Sequence, residues 1–254
     1  MIRDRLAQVQ LAFMLLTRLP AGHLPDPAPG MGSAAWAFPL AGLAVGGGGA
    51  LTLWVATALG LPPSLGAGLA ILAMLLLTGA LHEDGLADLA DGVWGGQTRE
   101  RRLEIMRDSR IGSYGALALI LSIGLRWQAL VYLAQLDSGL ALASVVIVAM
   151  TSRVAPAALL AFVTHARSDG LGHSASATTR FSVGVAKLIA LAPAVLLVPV
   201  PLVLAIVVFQ TIVTVGLAAL ARRKLGGQTG DVLGASQQLA EIAGYLALCT
   251  ILAR

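Results

Sequence analysis

Charged residues are scarce in this sequence, and their scarcity excludes a water-soluble globular protein. Only 12% of the 254 residues are Asp, Glu, Lys or Arg and 57% are hydrophobic, whereas an average soluble domain has roughly 25% charged residues. A soluble domain of this length would lack the polar shell needed to cover its apolar surface. The net charge of +4 requires no nucleic-acid partner, because basic residues flanking membrane spans give the same excess. We therefore predict no nucleic-acid binding.

Cysteine is nearly absent, since Cys249 is the single one in the chain. An intrachain disulfide and a thiolate-held metal cluster are thereby excluded. The N-terminus resembles a signal peptide in having arginines before a short apolar run, but Arg18 interrupts that run and no small-residue cleavage site follows closely. We expect this segment to stay in the mature protein as a helix too short to span a membrane.

Long apolar runs are what the sequence does have. A hydrocarbon layer about 30 Å thick takes roughly 20 helical residues. The runs of about this length cover residues 34–59, 61–81, 116–136, 140–163, 183–198 and 202–221, with a weaker one at 239–253. The predicted fold class is all-α, a polytopic integral membrane helical bundle of about six to seven transmembrane helices, forming a single integral membrane domain over residues 1–254.

The polar breaks between the runs alternate in charge. Those at 60–64, 137–139 and 199–201 are tight turns without Lys or Arg. The basic residues of the other breaks and of the N-terminus are Arg3, Arg5, Arg99, Arg101, Arg102, Arg107, Arg110, Arg167, Arg180, Arg222, Arg223 and Lys224. Two runs separate each basic segment from the next, so all can lie on one face, which the positive-inside rule makes cytoplasmic. We expect the active site on that face.

Acidic residues cluster after the second run, where Asp84, Asp88 and Asp91 are spaced by four and three. If the helix continues through 82–92, the three carboxylates project from one face into a common volume. Hard divalent ions relieve the mutual repulsion of such carboxylates and bridge to substrate phosphates. The sequence predicts a metal site here with Mg²⁺ as cofactor. The alternative is a solvated acidic turn paired with the arginines that follow.

A second polar cluster consists of Arg107, Asp108 and Arg110. Guanidinium groups form forks that suit phosphate oxygens, and a carboxylate can accept a proton. These three residues are therefore candidate catalytic residues. His82 is a further candidate, as a proton acceptor or substrate contact, and the alternative is a polar residue at a helix end. We expect Arg99, Arg101 and Arg102 to be plain surface charge.

Two arginines, Arg126 and Arg153, lie near the middle of apolar runs. An intramembrane charge is costly unless it faces a cavity or a partner, and no acidic residue lies in the core of any long run. We therefore predict that both arginines bind a substrate anion. The alternative is that the helices tilt or end early and the arginines reach the interface.

Glycine-rich stretches mark two further places. The run at 46–49 lies deep in the first apolar run, where small residues let helices approach closely. The third basic loop combines four glycines with Thr229 and Asp231. A pliable backbone of this kind can approach a phosphate or metal, so Thr229 and Asp231 are predicted substrate-binding residues. The alternative is a flexible linker in which Asp231 caps the next helix.

Three motifs together resemble the cobalamin synthase family of adenosylcobinamide-GDP ribazoletransferases. They are H-E-D-G-L-A-D-L-A-D-G at 82–92, R-L-E-I-M-R-D-S-R-I-G-S-Y-G at 102–115 and G-G-Q-T-G-D-V-L-G-A at 226–235. The stretches T-R-L-P at 17–20 and G-L-G-H at 170–173 look like weaker signatures of the same family. Glu83 and His173 stand where relatives often have an apolar residue and a lysine, so neither is assigned an essential role.

The resemblance implies a Mg²⁺-dependent transferase of the cytoplasmic (inner) membrane. Such an enzyme joins α-ribazole or its 5′-phosphate to adenosylcobinamide-GDP, releases GMP and forms adenosylcobalamin or its 5′-phosphate. In this interpretation Asp84, Asp88 and Asp91 hold the metal, and Asp108 or His82 accepts the hydroxyl proton. The basic candidates bind phosphate oxygens, and Asp231 completes the site. Besides the lipid bilayer, other cobamide-assembly enzymes are expected partners.

A membrane transporter is the alternative from another functional class. Arg126 and Arg153 would then form a midplane anion site, with the aspartates as ligands of a coupling ion. A transporter needs polar groups spread through its spans, preferably in two related halves. The sequence instead concentrates them in breaks assigned to one face and shows no internal repeat, which favours the enzyme.

Overall fold

The computed structural model describes residues 2–166 and 178–253. Within these ranges the chain is helical, and apart from an isolated bridge between His165 and Gln228 no β-structure occurs. The helices are α1 (Ile2–Leu16), α2 (Met31–Ala34), α3 (Phe38–Ala58), α4 (Pro63–Thr78), α5 (Leu81–Gly95), α6 (Arg99–Ile105), α7 (Ser113–Leu136), α8 (Ser138–Ser152), α9 (Val154–Phe162), α10 (Arg180–Leu197), α11 (Val200–Leu225) and α12 (Gly230–Leu252). Arg167 and the motif at 170–173, with His173, lie outside the described residues.

The predicted all-α polytopic membrane fold is confirmed. The described segments long and apolar enough to cross a membrane are Met31–Ala58, Ser113–Leu136, Ser138–Phe162, Arg180–Leu197 and Val200–Leu225, and a sixth arises if α4 and α5 count as one broken span. The weaker seventh run belongs to α12, which begins at Gly230 rather than at 239 and is not among these spans. Asp231, Glu241 and two glutamines interrupt its apolar surface, and most of the helix is buried among its neighbours.

A sharp break separates α4 from α5. Gly79 (φ +64°) and Ala80 (φ +56°) both adopt the left-handed conformation, and the two helices are bent by 88°. Residues 82–92 therefore do form a helix, as the spacing argument requires, but this helix does not continue α4. The apolar run extends across the break, so hydropathy could not reveal it. The consequence is that α5 packs along α7 and α12 instead of prolonging α4.

The predicted run at 140–163 is also divided, into α8 and α9. Arg153 links the two helices. Pro156 stands in the first turn of α9, and because it has no N–H it cannot donate to the carbonyl of Ser152, four residues earlier. The interruption places Arg153 inside the bundle, where it is 1% exposed.

Close helix crossings depend on glycine, as predicted for the run at 46–49. A Cβ on Gly46 would lie 2.8 Å from Cα of Val146, so α3 and α8 meet backbone to backbone there. The same device joins α5 to α12, because a Cβ on Gly85 would lie 2.9 Å from the carbonyl oxygen of Asp231. This second crossing brings the start of α12 against the acidic helix α5.

Candidate functional site

The carboxylates of α5 differ in their access to solvent. Asp84, Asp88 and Asp91 lie on one helix, as the sequence predicts, but Asp84 is exposed, Asp88 is half-buried and Asp91 is buried. The crossing of α5 with α12 adds Asp231, and the carboxylates of residues 84, 91 and 231 are all close enough to Asp88 to repel its charge. The third basic loop, through Asp231, therefore does meet the acidic motif at 82–92 on α5.

Asp91 is turned away from this cluster and toward α7. One of its carboxylate oxygens accepts from the backbone N–H of Gly112 at 2.7 Å, and the other from that of Gly115 at 2.9 Å. The first turn of a helix leaves its N–H groups without partners, so Asp91 caps α7 from another helix. A Cβ on Gly112 or on Gly115 would lie 2.3 Å from an Asp91 oxygen. Glycine at both positions is the sequence signal for this contact, which was not predicted.

The predicted metal triad is not assembled as such. Across the described ranges, no three or more His, Cys, Asp or Glu side chains are grouped so that they could hold a metal ion. Asp84, Asp88 and Asp231 nonetheless offer the hard carboxylate oxygens that Mg²⁺ prefers. Asp91 differs, because both of its oxygens already accept backbone hydrogen bonds.

The loop between α6 and α7 carries the second cluster. Asp108 and Arg110 form an ion pair of 2.7 Å between Oδ2 and Nη2, and the Arg110 side chain is 87% exposed. This guanidinium lowers the pKa of the Asp108 carboxyl to about 2, so Asp108 is a very weak base at neutral pH. Arg107 is exposed on the same loop. Within the structure, Arg110 thus faces Asp108.

An open cleft of about 260 Å³ adjoins this loop. Its walls include Asp91, Asp108, Arg110 and Tyr114. The cleft therefore lies between the end of α5 and the basic loop, and Arg110 in its wall can face a phosphate group.

The third loop is more ordered than a flexible linker. The N-cap of α12 is Thr229 rather than Asp231, because the Thr229 hydroxyl accepts from the N–H of Val232 and donates to the Asp231 carboxylate at 3.2 Å.

Arg99 is not plain surface charge, contrary to expectation. It donates to the carbonyl oxygens of Leu225 and Ala166, both at 2.8 Å, and thereby ties α6 to two other segments.

Arg126 lies in a buried ionic network. Its guanidinium donates to Glu241 and to Glu83, each at 3.1 Å, and the three residues are 2%, 2% and 6% exposed. The expectation that no carboxylate neutralises Arg126 is wrong, because α12 begins earlier than predicted and places Glu241 at its centre. Glu83, given no essential role from the sequence, is a partner in this network. The geometry offers Arg126 no opening toward a substrate.

Glutamine and serine side chains extend this network across the bundle. Gln237 donates to Ser152 Oγ at 3.0 Å and also to Glu241. Gln238 donates to Gln237 at 2.8 Å and accepts from Ser122 at 3.1 Å. The chain of contacts connects α7, α8 and α12 through hydrogen bonds between buried side chains.

Arg153 and His82 border a small cavity beside the network, and the residues that line it are buried. Arg153 donates to the carbonyl oxygen of Ala149 at 2.7 Å. Within residues 2–166 and 178–253, its Nε, the Nε2 of His82 and one carboxylate oxygen of Glu83 find no hydrogen-bond partner. The cavity, of about 10 Å³, is about the size of a single water. Neither Arg153 nor His82 lines the open cleft. In this structure a substrate in the cleft therefore cannot contact Arg153 or pass a proton to His82, as was predicted for them.

Comparisons with known proteins point to a single family. The family described as cobalamin-5-phosphate synthase matches residues 8–249. The relative from Bradyrhizobium diazoefficiens is 45% identical over 95% of this chain and 92% of its own length. The relative from Azorhizobium caulinodans is 46% identical over 94% and 93%. Both are named adenosylcobinamide-GDP ribazoletransferase. No solved structure matches the chain significantly.

Proposed function

The chain belongs to the cobalamin-5-phosphate synthase family, and from this membership we propose that it joins α-ribazole or its 5′-phosphate to adenosylcobinamide-GDP. A ribazole hydroxyl oxygen bonds to a phosphorus of the pyrophosphate, the bond from that phosphorus to the bridging oxygen breaks, and GMP leaves. The hydroxyl proton passes to a base. The product is adenosylcobalamin or its 5′-phosphate. The observation that carries this proposal is the identity of over 40% along nearly the whole chain.

We propose Mg²⁺ as the metal ion, held by Asp84, Asp88 and Asp231. Mg²⁺ is usually bound through one or two carboxylates, several waters and substrate phosphates, so a preformed set of converging ligands is not required. When bound, the ion would neutralise charge on the pyrophosphate oxygens. We do not include Asp91 among the ligands, because its oxygens are engaged by Gly112 and Gly115.

The chain's own residues divide the remaining tasks. Asp91 holds the start of α7, and with it the loop of Arg107 and Arg110, beside the acidic helix. These two arginines would bind the pyrophosphate and offset the charge that builds up on its oxygens during transfer. With a pKa of about 2, Asp108 fits the role of orienting Arg110 better than that of accepting a proton.

We place the site on the cytoplasmic side of the inner membrane. The support is the distribution of arginines, because Arg99, Arg107, Arg110 and Arg222 all lie in or beside the loops that meet at α5 and α12. Association with other cobamide-assembly enzymes stays a prediction.

The direct test measures GMP release by the purified protein from adenosylcobinamide-GDP and α-ribazole, with Mg²⁺ and with chelator. Metal-dependent release, one GMP per cobamide, is expected in detergent solution, where a transporter has no second compartment. Asp84→Asn should lower the rate about 100-fold, as the loss of several kcal/mol of charge stabilisation implies. Asp26→Asn, which changes an exposed carboxylate in the connector after α1, is the matched control. Normal turnover of folded Asp84→Asn protein would refute the metal assignment.

A further inference from the structure

A further cavity lies between α8, α9, α10 and α11, and it shares no lining residue with the cleft beside α5. It is an open groove of about 260 Å³. Its walls are mainly aliphatic, with Leu191 and Val207 on opposite helices, and Lys187 alone among its described lining residues carries a charge. α10 and α11 are the least buried of the membrane-crossing helices together with α7, so the groove opens on the outside of the bundle.

Two arginines flank one end of this groove. Phe162, the last residue of α9, forms part of the wall. The guanidinium of Arg180 lies 5.7 Å from the centroid of the Phe162 ring. Arg222 donates to the backbone carbonyl oxygen of Phe162 at 2.7 Å. Arg180 and Lys187 are seven residues apart on α10, which places them on one face, two turns apart.

These three cations have no acidic counterpart in the part of the chain that the structure describes. No carboxylate there forms an ion pair with Arg180, Lys187 or Arg222. Lys187 lies two turns into a membrane-crossing helix, where an ammonium group is costly unless it reaches an anion or the interface. A ligand that combines an anionic group with an apolar chain satisfies both the cations and the groove.

We propose that this groove binds an acidic phospholipid of the surrounding bilayer. Lys187, Arg180 and Arg222 hold the headgroup phosphate, and an acyl chain lies between Leu191 and Val207. The mainly aliphatic walls of the groove suit an acyl chain. Basic pockets between membrane helices are suited to anionic headgroups. The proposal is independent of the reaction at α5.

The test uses the full chain, stripped of lipid in neutral detergent, and native mass spectrometry with added dioleoylphosphatidylglycerol or dioleoylphosphatidylcholine. We expect the phosphatidylglycerol adduct to form at a concentration at least tenfold lower. Lys187→Gln should weaken that adduct about fivefold, the effect of one cation near a membrane surface. Lys224→Gln, which removes the only other lysine of the chain, is the matched control and should leave it unchanged.

A second variant tests the groove separately from the charge. Ala158→Phe places a bulky side chain in the groove wall and should reduce binding of both lipids while the three cations remain. Equal binding of the two lipids by the wild type would overturn the proposal, as would equal losses in Lys187→Gln and Lys224→Gln. Displacement of the lipid by adenosylcobinamide-GDP, mole for mole, would assign the groove to the substrate instead.

Discussion

At the scale of single residues, charge partners decide what each candidate side chain can do. Arg110 and Asp108 neutralise each other on an exposed loop, whereas Arg126 is held between two buried glutamates. Exposed pairs contribute little to stability. A buried charge that loses its partner, in contrast, stays desolvated and destabilises the fold. The two arginines therefore lead to different predictions.

The first prediction concerns pH. Because the Asp108 pKa is lowered from 3.8 to about 2, any stability from its ion pair is present above the ordinary value and is lost as the pH falls through about 2. Asp108 stays ionised from pH 5 to 9, so Asp108→Asn should change kcat/KM by the same factor throughout that range. An inflection that the wild type shows there and the variant lacks would mean that Asp108 titrates as a base.

The second prediction concerns the buried network. Glu241→Gln removes one of the two carboxylates around Arg126 and should lower the free energy of unfolding by about 3–5 kcal/mol. Glu104→Gln is the control, because Glu104 forms an exposed ion pair with Arg101 and its loss should cost under about 1 kcal/mol. Thermal unfolding in detergent measures both. Unfolding of the Glu241→Gln protein at the wild-type temperature would contradict the network's structural role.

At the scale of elements, glycine sets which helices can touch and where. Gly112 and Gly115 leave room for the Asp91 carboxylate at the start of α7, whereas no described atom lies within 4 Å of a Cβ built on Gly124 of the same helix. Glycine is therefore needed for a close contact at the start of α7, whereas in the middle of α7 it makes room for no neighbouring side chain. This difference can be tested within one helix.

Gly115→Ala should destabilise the protein by about 1–3 kcal/mol. The new methyl group would lie 2.3 Å from Asp91 and 3.0 Å from the carbonyl oxygen of Ala87. The KM for adenosylcobinamide-GDP should rise as well, because the loop before α7 loses its anchor. Gly124→Ala should instead be neutral or stabilising by up to about 1 kcal/mol, since alanine favours a helix. Indistinguishable behaviour of the two variants in unfolding and kinetic assays would argue against the Asp91 anchor.

Hydropathy, turn residues and residue spacing predicted those helices and turns that depend only on residues near one another in the sequence. The apolar runs became helices, the turns at 137–139 and 199–201 begin α8 and α11, and the spacing of Asp84 and Asp88 places them on one helix. The bend at Gly79 and Ala80 was missed because the apolar run continues across it. Pro156 indicated the division at Arg153, but the continuous apolar character of the run at 140–163 led to the prediction of a single helix.

At the scale of the whole molecule, the missed features are those that join distant parts of the chain. Glu241 pairs with Arg126 across 115 residues, and Asp91 reaches Gly115 on another helix. No pattern within a single run contains such pairs. The sequence did predict that the motifs after the second run and in the third basic loop belong to one site, and the crossing at Gly85 brings Asp231 beside Asp88. The resemblance to a known family supplied the reaction, which geometry alone could not.

The pairing of Arg126 also bears on how the bundle is made. Glu83, Arg126 and Arg153 precede Glu241 in the chain, so the interior carries one excess positive charge until α12 packs into place. Synthesis at about 5–20 residues per second needs roughly 6–23 s to cover the 115 residues from Arg126 to Glu241. During that interval the nascent helices must remain loosely associated or hydrated around the arginines. Docking of α12 is thus the step at which the membrane bundle can close.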